Sequence, residues 1–241
     1  MSGPWPGWGR VTPRRKAAEP GFIGLPRHFT LDCDQLRRFG HRLAGALVRI
    51  FGVILAGGEG RRMGGADKAL LLLAGETLLC RAIFRLAPQV ERLAISANGD
   101  AARFAACVLP VLADAKRQGP LSGLLAALHW AENSGADAVV TAPVDCPFLP
   151  ADLVPRLLFA AENGVALATS GGALHPTFGF WPVRLAAALD DFLASGAKPR
   201  VRDFAIAHGM QPANFPDDAA FANLNTPEDL ARAESLLRAG T

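Results

Sequence analysis

A chain of 241 residues, half of them hydrophobic and a fifth charged, suits one α/β domain with at most an appendage. Its formal charge of +3 is uneven: residues 1–47 hold eight Lys/Arg against three Asp/Glu, which leaves the remainder slightly acidic and argues against nucleic acid as a partner. The cysteines, Cys33, Cys80, Cys107 and Cys146, form no CxxC pair, so neither a zinc site nor a disulfide framework is indicated and a reducing compartment fits.

Residues 1–47 contain five Pro and seven Gly and show no sustained hydrophobic period. They are expected to form a basic, poorly ordered N-terminal extension, with a helix-like pattern only over Leu31–Val48. The compact domain is expected to span 48–241, and Val48 is a position at which translation could alternatively begin. The apolar stretch Leu43–Gly58 is broken by Arg49, too short to span a bilayer and too far from Met1 for a signal peptide. No membrane partner is expected, and the location that follows is cytoplasmic.

From Phe51 onward short apolar segments alternate with helix-length ones. The predicted strands are Gly52–Ala56, Arg92–Ala97, Cys107–Leu112, Ala138–Ala142 and Val165–Ser170. Between them fall predicted helices over Leu78–Ala87, Asp100–Ala106, Leu121–Ser134 and Ala151–Asn163. Leu124, Leu125, Leu128 and Ala131 form an apolar stripe at helical spacing. Pro150-Ala151-Asp152 reads as a helix start, with an acid in the first turn. The tail is less regular: His175–Pro182 reads as extended, with helices near Val183–Ser195 and Thr226–Arg238. Thr226-Pro227-Glu228-Asp229 supplies an N-cap, a first-turn proline and two acids. This β-α-β alternation predicts a mostly parallel sheet covered on both faces. Ligands bind at the carboxyl ends of such strands, which selects Gly57–Lys68, Ser96–Asp100, Asp114–Gly123 and Asp145–Pro150 as one rim.

The first of these segments carries the clearest chemistry. The run Phe51–Ala56 opens into a loop with glycines at 57, 58, 60, 64 and 65, holding Arg61 and Arg62 and closed by Lys68. Glycines let main-chain N–H groups approach a phosphate closely, and fixed cations meet the charge that develops when a phosphoryl group moves. A Walker A loop would need Ser or Thr after its Lys, and Ala69 stands there. A dinucleotide fingerprint would need Gly where Met63 stands.

The Leu55-Ala56-Gly57-Gly58…Arg62-Met63-Gly64-Gly65-Ala66-Asp67-Lys68 pattern resembles that of the molybdenum cofactor guanylyltransferases. Asp114 with Gly119-Pro120-Leu121-Ser122-Gly123 is similar to that family's Asp…Gly-Pro-Leu-x-Gly segment. Pro143-Val144-Asp145-Cys146-Pro147, His175-Pro176-Thr177 and Asn223-Leu224-Asn225-Thr226-Pro227 are similar to three further signatures. The resemblance runs from about residue 52 to 238 and leaves the basic head without a counterpart. It implies a single three-layer α/β/α Rossmann-like nucleotidyltransferase domain. It also implies a reaction in which GTP and the molybdenum-loaded molybdopterin phosphate give the guanylated cofactor and pyrophosphate, with Mg²⁺.

On that reading the main chain of Leu55, Ala56, Gly57 and Gly58 cradles the nucleotide, Lys68 meets the triphosphate and Arg62 the leaving pyrophosphate. Asp145 ends a buried apolar strand, where a carboxylate needs a partner such as a hard cation; capping of the following helix is its plainer role. Asp114 is either a contact to the guanine or ribose end or a turn former. His175 is either a molybdopterin-side contact or a packed strand residue, and Asn223 and Asn225 are placed on the acceptor side. Asp67 reads as a turn residue tying the loop down, and Arg61 as solvated. The family's Asn-x-Asn after the second strand is Ser96-Ala97-Asn98 here; a hydroxyl lacks the amide's paired donor and acceptor, so Asn98 is the alternative nucleotide contact. The neighbouring reading is a cytidylyltransferase acting on the same pterin, whose loop has Ala where Gly57 stands. A non-catalytic nucleotide-binding adaptor for molybdoenzymes is the reading from another class, opposed by the intact Lys68 and Asp145.

Overall fold

The computed structural model describes residues 48–57, 67–113, 119–162, 164–196, 198 and 200–239. In chain order the elements are β1 (Ile50–Leu55), β2 (Leu72–Leu73), β3 (Glu76–Thr77), α1 (Leu78–Leu86), β4 (Arg92–Ser96), β5 (Val111–Leu112) and α2 (Pro120–Asn133). There follow β6 (Ala138–Pro143), α3 (Leu153–Ala161), β7 (Ala166–Ser170), β8 (Ala173–Pro182), α4 (Ala186–Ala194), α5 (Val201–Ala207), β9 (Gln211–Phe215) and α6 (Pro227–Ala239). Seven strands form one sheet in the order β5-β4-β1-β6-β8-β7-β9, in which β8 alone runs against its two neighbours. The mostly parallel sheet expected from the alternating pattern is present.

Strand alternation sends side chains to opposite faces. Phe51 and Val53 pack on one side with Leu121, Leu124 and Leu128 of α2, Leu189 of α4 and Phe204 of α5. Ile50 and Ile54 pack on the other with Leu78, Leu79 and Ala82 of α1, Leu153 and Leu157 of α3 and Ala233 of α6. With both faces covered, the central strands read as unbroken apolar runs, and the architecture has three layers.

Several elements differ from the sequence expectation for identifiable reasons. The segment Ala101–Cys107 winds as a 3₁₀ helix capped by Asp100, and Val108 turns left-handed (φ 51°) ahead of Pro110. The predicted strand from Cys107 therefore shrinks to Val111–Leu112, since a left-handed residue and a proline without an N–H both interrupt a ladder. Asp152 is the N-cap residue of α3 rather than part of its first turn, and its carboxylate pairs with Arg156 (2.5 Å). Two hairpins arise where the sequence suggested none. Ala74-Gly75 joins β2 to β3 and Gly171-Gly172 joins β7 to β8, each pair with positive φ as a tight two-residue turn requires. Strand β9 contains Pro212 and is tolerated because it lies at the sheet edge, pairing only with β7.

The expected boundary between a basic extension and a domain from residue 48 falls on residues of which 1–47 lie outside the described ones. Within those described, no helix is long and apolar enough to cross a membrane. From β1 the chain steps outward through β4 to β5, then returns to place β6 on the opposite side of β1. That reversal opens a crevice at the carboxyl ends of β1 and β6.

Candidate active site

The crevice is built from strand ends stitched to one another. The Ala56 amide donates to the Ser96 carbonyl (2.8 Å), and the Val144 amide to that of Leu55 (3.0 Å), so β4, β1 and β6 end level. Leu55, Gly57, Ser96, Pro143, Val144 and Asp145 line the cleft from these ends, the first turn of α2 adds Gly119, Pro120 and Gly123, and Lys68, Thr177 and Asn223 close it. Ser96 and α2 meet so closely that a Cβ on Gly123 would lie 2.5 Å from the Ser96 hydroxyl. A side chain there would push the helix start away from the strand ends.

Lys68 opens a single 3₁₀ turn, Lys68–Leu70, whose N-cap Asp67 accepts from the Ala69 amide (3.0 Å). Its ammonium lies 3.1 Å from the Asp145 carboxylate and donates to the Asn225 side-chain oxygen at 2.6 Å. These partners are 77 and 157 residues away in sequence, and the Lys68 and Asp145 side chains are 16% and 18% exposed. Mostly withdrawn from water, the two charges hold each other in place more firmly than an exposed pair would.

Asn225 is fixed from the other direction. Asp229 accepts from the amides of Asn225 and Thr226 (3.0 Å each), while the Thr226 hydroxyl accepts from the Asp229 amide (3.2 Å). This reciprocal cap starts α6 as the Thr-Pro-Glu-Asp pattern predicts. The Leu224 amide donates to the Asp145 carbonyl (2.9 Å), and the buried Cys146 thiol donates to the Asn223 side-chain oxygen (2.6 Å). Burial and the neighbouring Asp145 push the Cys146 thiol far up, which keeps it protonated and removes it as a nucleophile.

Of the residues nominated from sequence, Leu55, Gly57, Lys68, Ser96, Asp145 and Asn223 line one cleft, and Asn225 joins them through Lys68. The Ala56 amide is committed to holding β1 to β4. Asn98 offers its carbonyl to Arg103 (2.7 Å). Gly58, Arg62 and Asp114 lie outside the described residues, as does Arg61. Asp145 pairs with Lys68 instead of capping the following helix, whose N-cap is Asp152. Thr177, Pro143 and Val144 also line the cleft; the sequence places them within signatures but assigns them no site role, because a threonine in a strand and apolar residues at its end look like ordinary sheet formers.

His175 is set back from the cleft. Its ring stacks on Phe221 (4.5 Å between centroids), and its Nε2 lies 2.8 Å from the Ser170 hydroxyl. Burial lowers its pKa below the ordinary 6.5, against a smaller opposing effect of Asp218. A lowered folded value means that the unfolded chain binds the proton more readily, so the fold loses stability as pH falls from about 6.5 toward the folded value. The expected result is a melting temperature that drops between about pH 7 and 5.5, with a smaller drop in His175→Gln, measured by thermal denaturation across that range.

No group of three or more His, Cys, Asp or Glu able to hold a metal ion occurs among the described residues. A divalent ion here would need oxygens from the substrate as well as from Asp145. A switch-point cleft holding a lysine paired to a strand-end carboxylate, with Asn223 on its wall and Asn225 bonded to the lysine, is suited to binding a phosphorylated ligand.

Residues 52–209 match the family model described as the MobA-like NTP transferase domain. A protein of Cereibacter sphaeroides named molybdenum cofactor guanylyltransferase is 62% identical over 79% of this chain and 98% of its own length. A Mesorhizobium japonicum protein of the same name is 46% identical over 80% and 98%. The fold is also that of molybdopterin-guanine dinucleotide biosynthesis protein A from Archaeoglobus fulgidus, with a TM-score of 0.64 at 20% identity over 78% of this chain and 99% of that one. The chain belongs to the molybdenum cofactor guanylyltransferases of the MobA-like NTP transferase family.

Proposed function

We propose that this enzyme transfers GMP from GTP to the terminal phosphate of molybdenum-loaded molybdopterin and releases pyrophosphate. The observation that carries the reading is the convergence of Lys68, Asp145 and Asn225 beside Gly57 at the strand ends. An oxygen of the acceptor phosphate attacks the α-phosphorus of GTP, and the bond from that phosphorus to the β-phosphate oxygen breaks. The attacking oxygen is already anionic, so the protein supplies no base; it supplies alignment and positive charge.

Lys68 is the cation that meets the triphosphate. Arg62 is assigned to the leaving pyrophosphate, Asp114 to the guanine or ribose end, Ser96 or Asn98 to the nucleotide wall, and Asn223 and Asn225 to the acceptor phosphate. Mg²⁺ fits this donor set because it is commonly held by one or two carboxylates together with substrate phosphates, and Asp145 is a hard oxygen donor lining the cleft. When bound, it neutralises phosphate charge. Delivery to molybdoenzymes or their insertion partners, in the cytoplasm, completes the reading.

Gly57 bears on the choice of nucleotide. Among the described residues, a Cβ at Gly57 meets nothing within 4 Å. Gly57 lines the cleft, so a methyl there would narrow the space open to a nucleotide. The test is nucleotide competition with purified protein, Mg²⁺ and molybdopterin, following pyrophosphate. GTP turnover well above CTP turnover is expected. Gly57→Ala should lower GTP turnover about tenfold with an unchanged melting temperature. CTP preference in the natural protein would assign it to the cytidylyl class, and nucleotide binding without pyrophosphate release would make it an adaptor.

A further inference from the structure

Arg103 lies in the 3₁₀ segment Ala101–Cys107, outside the sequence motifs of the site, yet its guanidinium joins two separate parts of the rim. Its Nε forms an ion pair with the second carboxylate oxygen of Asp67 (2.6 Å), the residue immediately before Lys68, by charge and proximity and without an aligned hydrogen bond. Its Nη2 donates to the Asn98 carbonyl (2.7 Å) and its Nη1 to that of Asp100 (2.8 Å). The planar group lies over the ring of Phe104 (4.3 Å to the centroid), a fully buried core residue.

The loop after β4 is shaped around this group. Gly99 adopts φ +87°, a conformation that side chains rarely take, and a Cβ there would stand 3.2 Å from Arg103 Nη1. Asp67 in turn is held at both oxygens, one capping the Ala69 amide and the other on Arg103. The strut therefore runs from the core through Phe104 and Arg103 to Asp67, and so to the backbone that carries Lys68.

We propose that Arg103 is a positioning residue for the transfer reaction: it clamps the Lys68 turn to the loop after β4, so that the ammonium and the Asn98 side of the rim keep a fixed separation. Its charge is engaged by Asp67 and two carbonyls, so it acts through these groups and does not itself bind phosphate. A lysine could not replace it, because an ammonium lacks the planar fork that reaches three partners at once. The catalytic part of the inference rests on Lys68 meeting the triphosphate; the mechanical part does not.

Full-length protein and its Arg103→Ala, Arg103→Lys and Asp67→Asn variants separate the two. Amide hydrogen exchange over residues 67–71 should quicken about tenfold in Arg103→Ala and Asp67→Asn, with exchange in α4 on the opposite face unchanged. In GTP turnover, kcat should fall about tenfold while the KM for GTP changes by less than about threefold, and Arg103→Lys should not restore it. The double variant Arg103→Ala with Asp67→Asn should be no worse than Arg103→Ala alone, because both remove one strut. Asp67→Asn keeps an oxygen for the Ala69 amide and carries the test should Arg103→Ala not fold. Unchanged exchange at 67–71, or a folded variant with wild-type kcat, would overturn the proposal. Wild-type protein without GTP turnover would overturn the transfer reading instead, and leave the exchange measurement to decide the strut.

Discussion

Lys68→Ala is expected to lower pyrophosphate release from GTP by about 10³-fold, measured in single turnover with saturating nucleotide. The ammonium is the one described cation lining the cleft, and it is held ready by Asp145 and Asn225 (3.1 and 2.6 Å), so little reorganisation accompanies charge development. Removing it also leaves a mostly buried carboxylate without its counter-charge, so the melting temperature should fall as well. Lys68→Arg is expected to restore the charge and little of the rate, since a guanidinium presents a wider, planar group to the same two oxygens. A variant that kept more than a tenth of wild-type turnover would remove Lys68 from the chemistry.

Asp145→Asn should separate charge from shape. The amide oxygen still accepts from Lys68, so the fold and the Lys68 position should hold, although the ammonium loses its counter-charge and the melting temperature should fall as it does in Lys68→Ala. What disappears is the negative charge that would retain a divalent ion beside the phosphates. Turnover is expected to fall about 10²-fold or more, with the Mg²⁺ dependence of the initial rate displaced to higher concentration. A Mg²⁺ titration superimposable on that of the natural protein would assign the ion elsewhere. In that case the Asp145 pair with Lys68 would be purely a device for fixing the ammonium.

Much of this site was legible before any coordinates. Lys68 stood out because it closes a glycine-rich loop after an apolar strand, and Asp145 because it ends a run, Ala138–Pro143, in which every residue is buried. The doubly covered sheet was legible for the same reason: apolar strands and striped helices alternate, and each needs the other to hide its surface. Hairpins and edge elements were less visible. Gly171-Gly172 is a turn signal, but the strand that follows contains His175 and Pro176 and does not alternate cleanly. Strand β9 carries Pro212 and two exposed polar positions, so only its seat at the edge beside β7 makes it a strand.

Residue type and spacing along the chain determined that this protein would place a lysine and a strand-end carboxylate on a mostly parallel sheet. They did so because those choices answer to local rules: backbone approach, burial periodicity and the cost of an unpartnered charge. Which groups meet was decided only by the tertiary structure. Nothing in a linear reading joins Lys68 to Asn225 across 157 residues, seats Ser96 against Gly123, or passes a guanidinium from Phe104 to Asp67. Such contacts depend on how strands are ordered in the sheet and on where each ends, and strand order is a property of the folded chain as a whole.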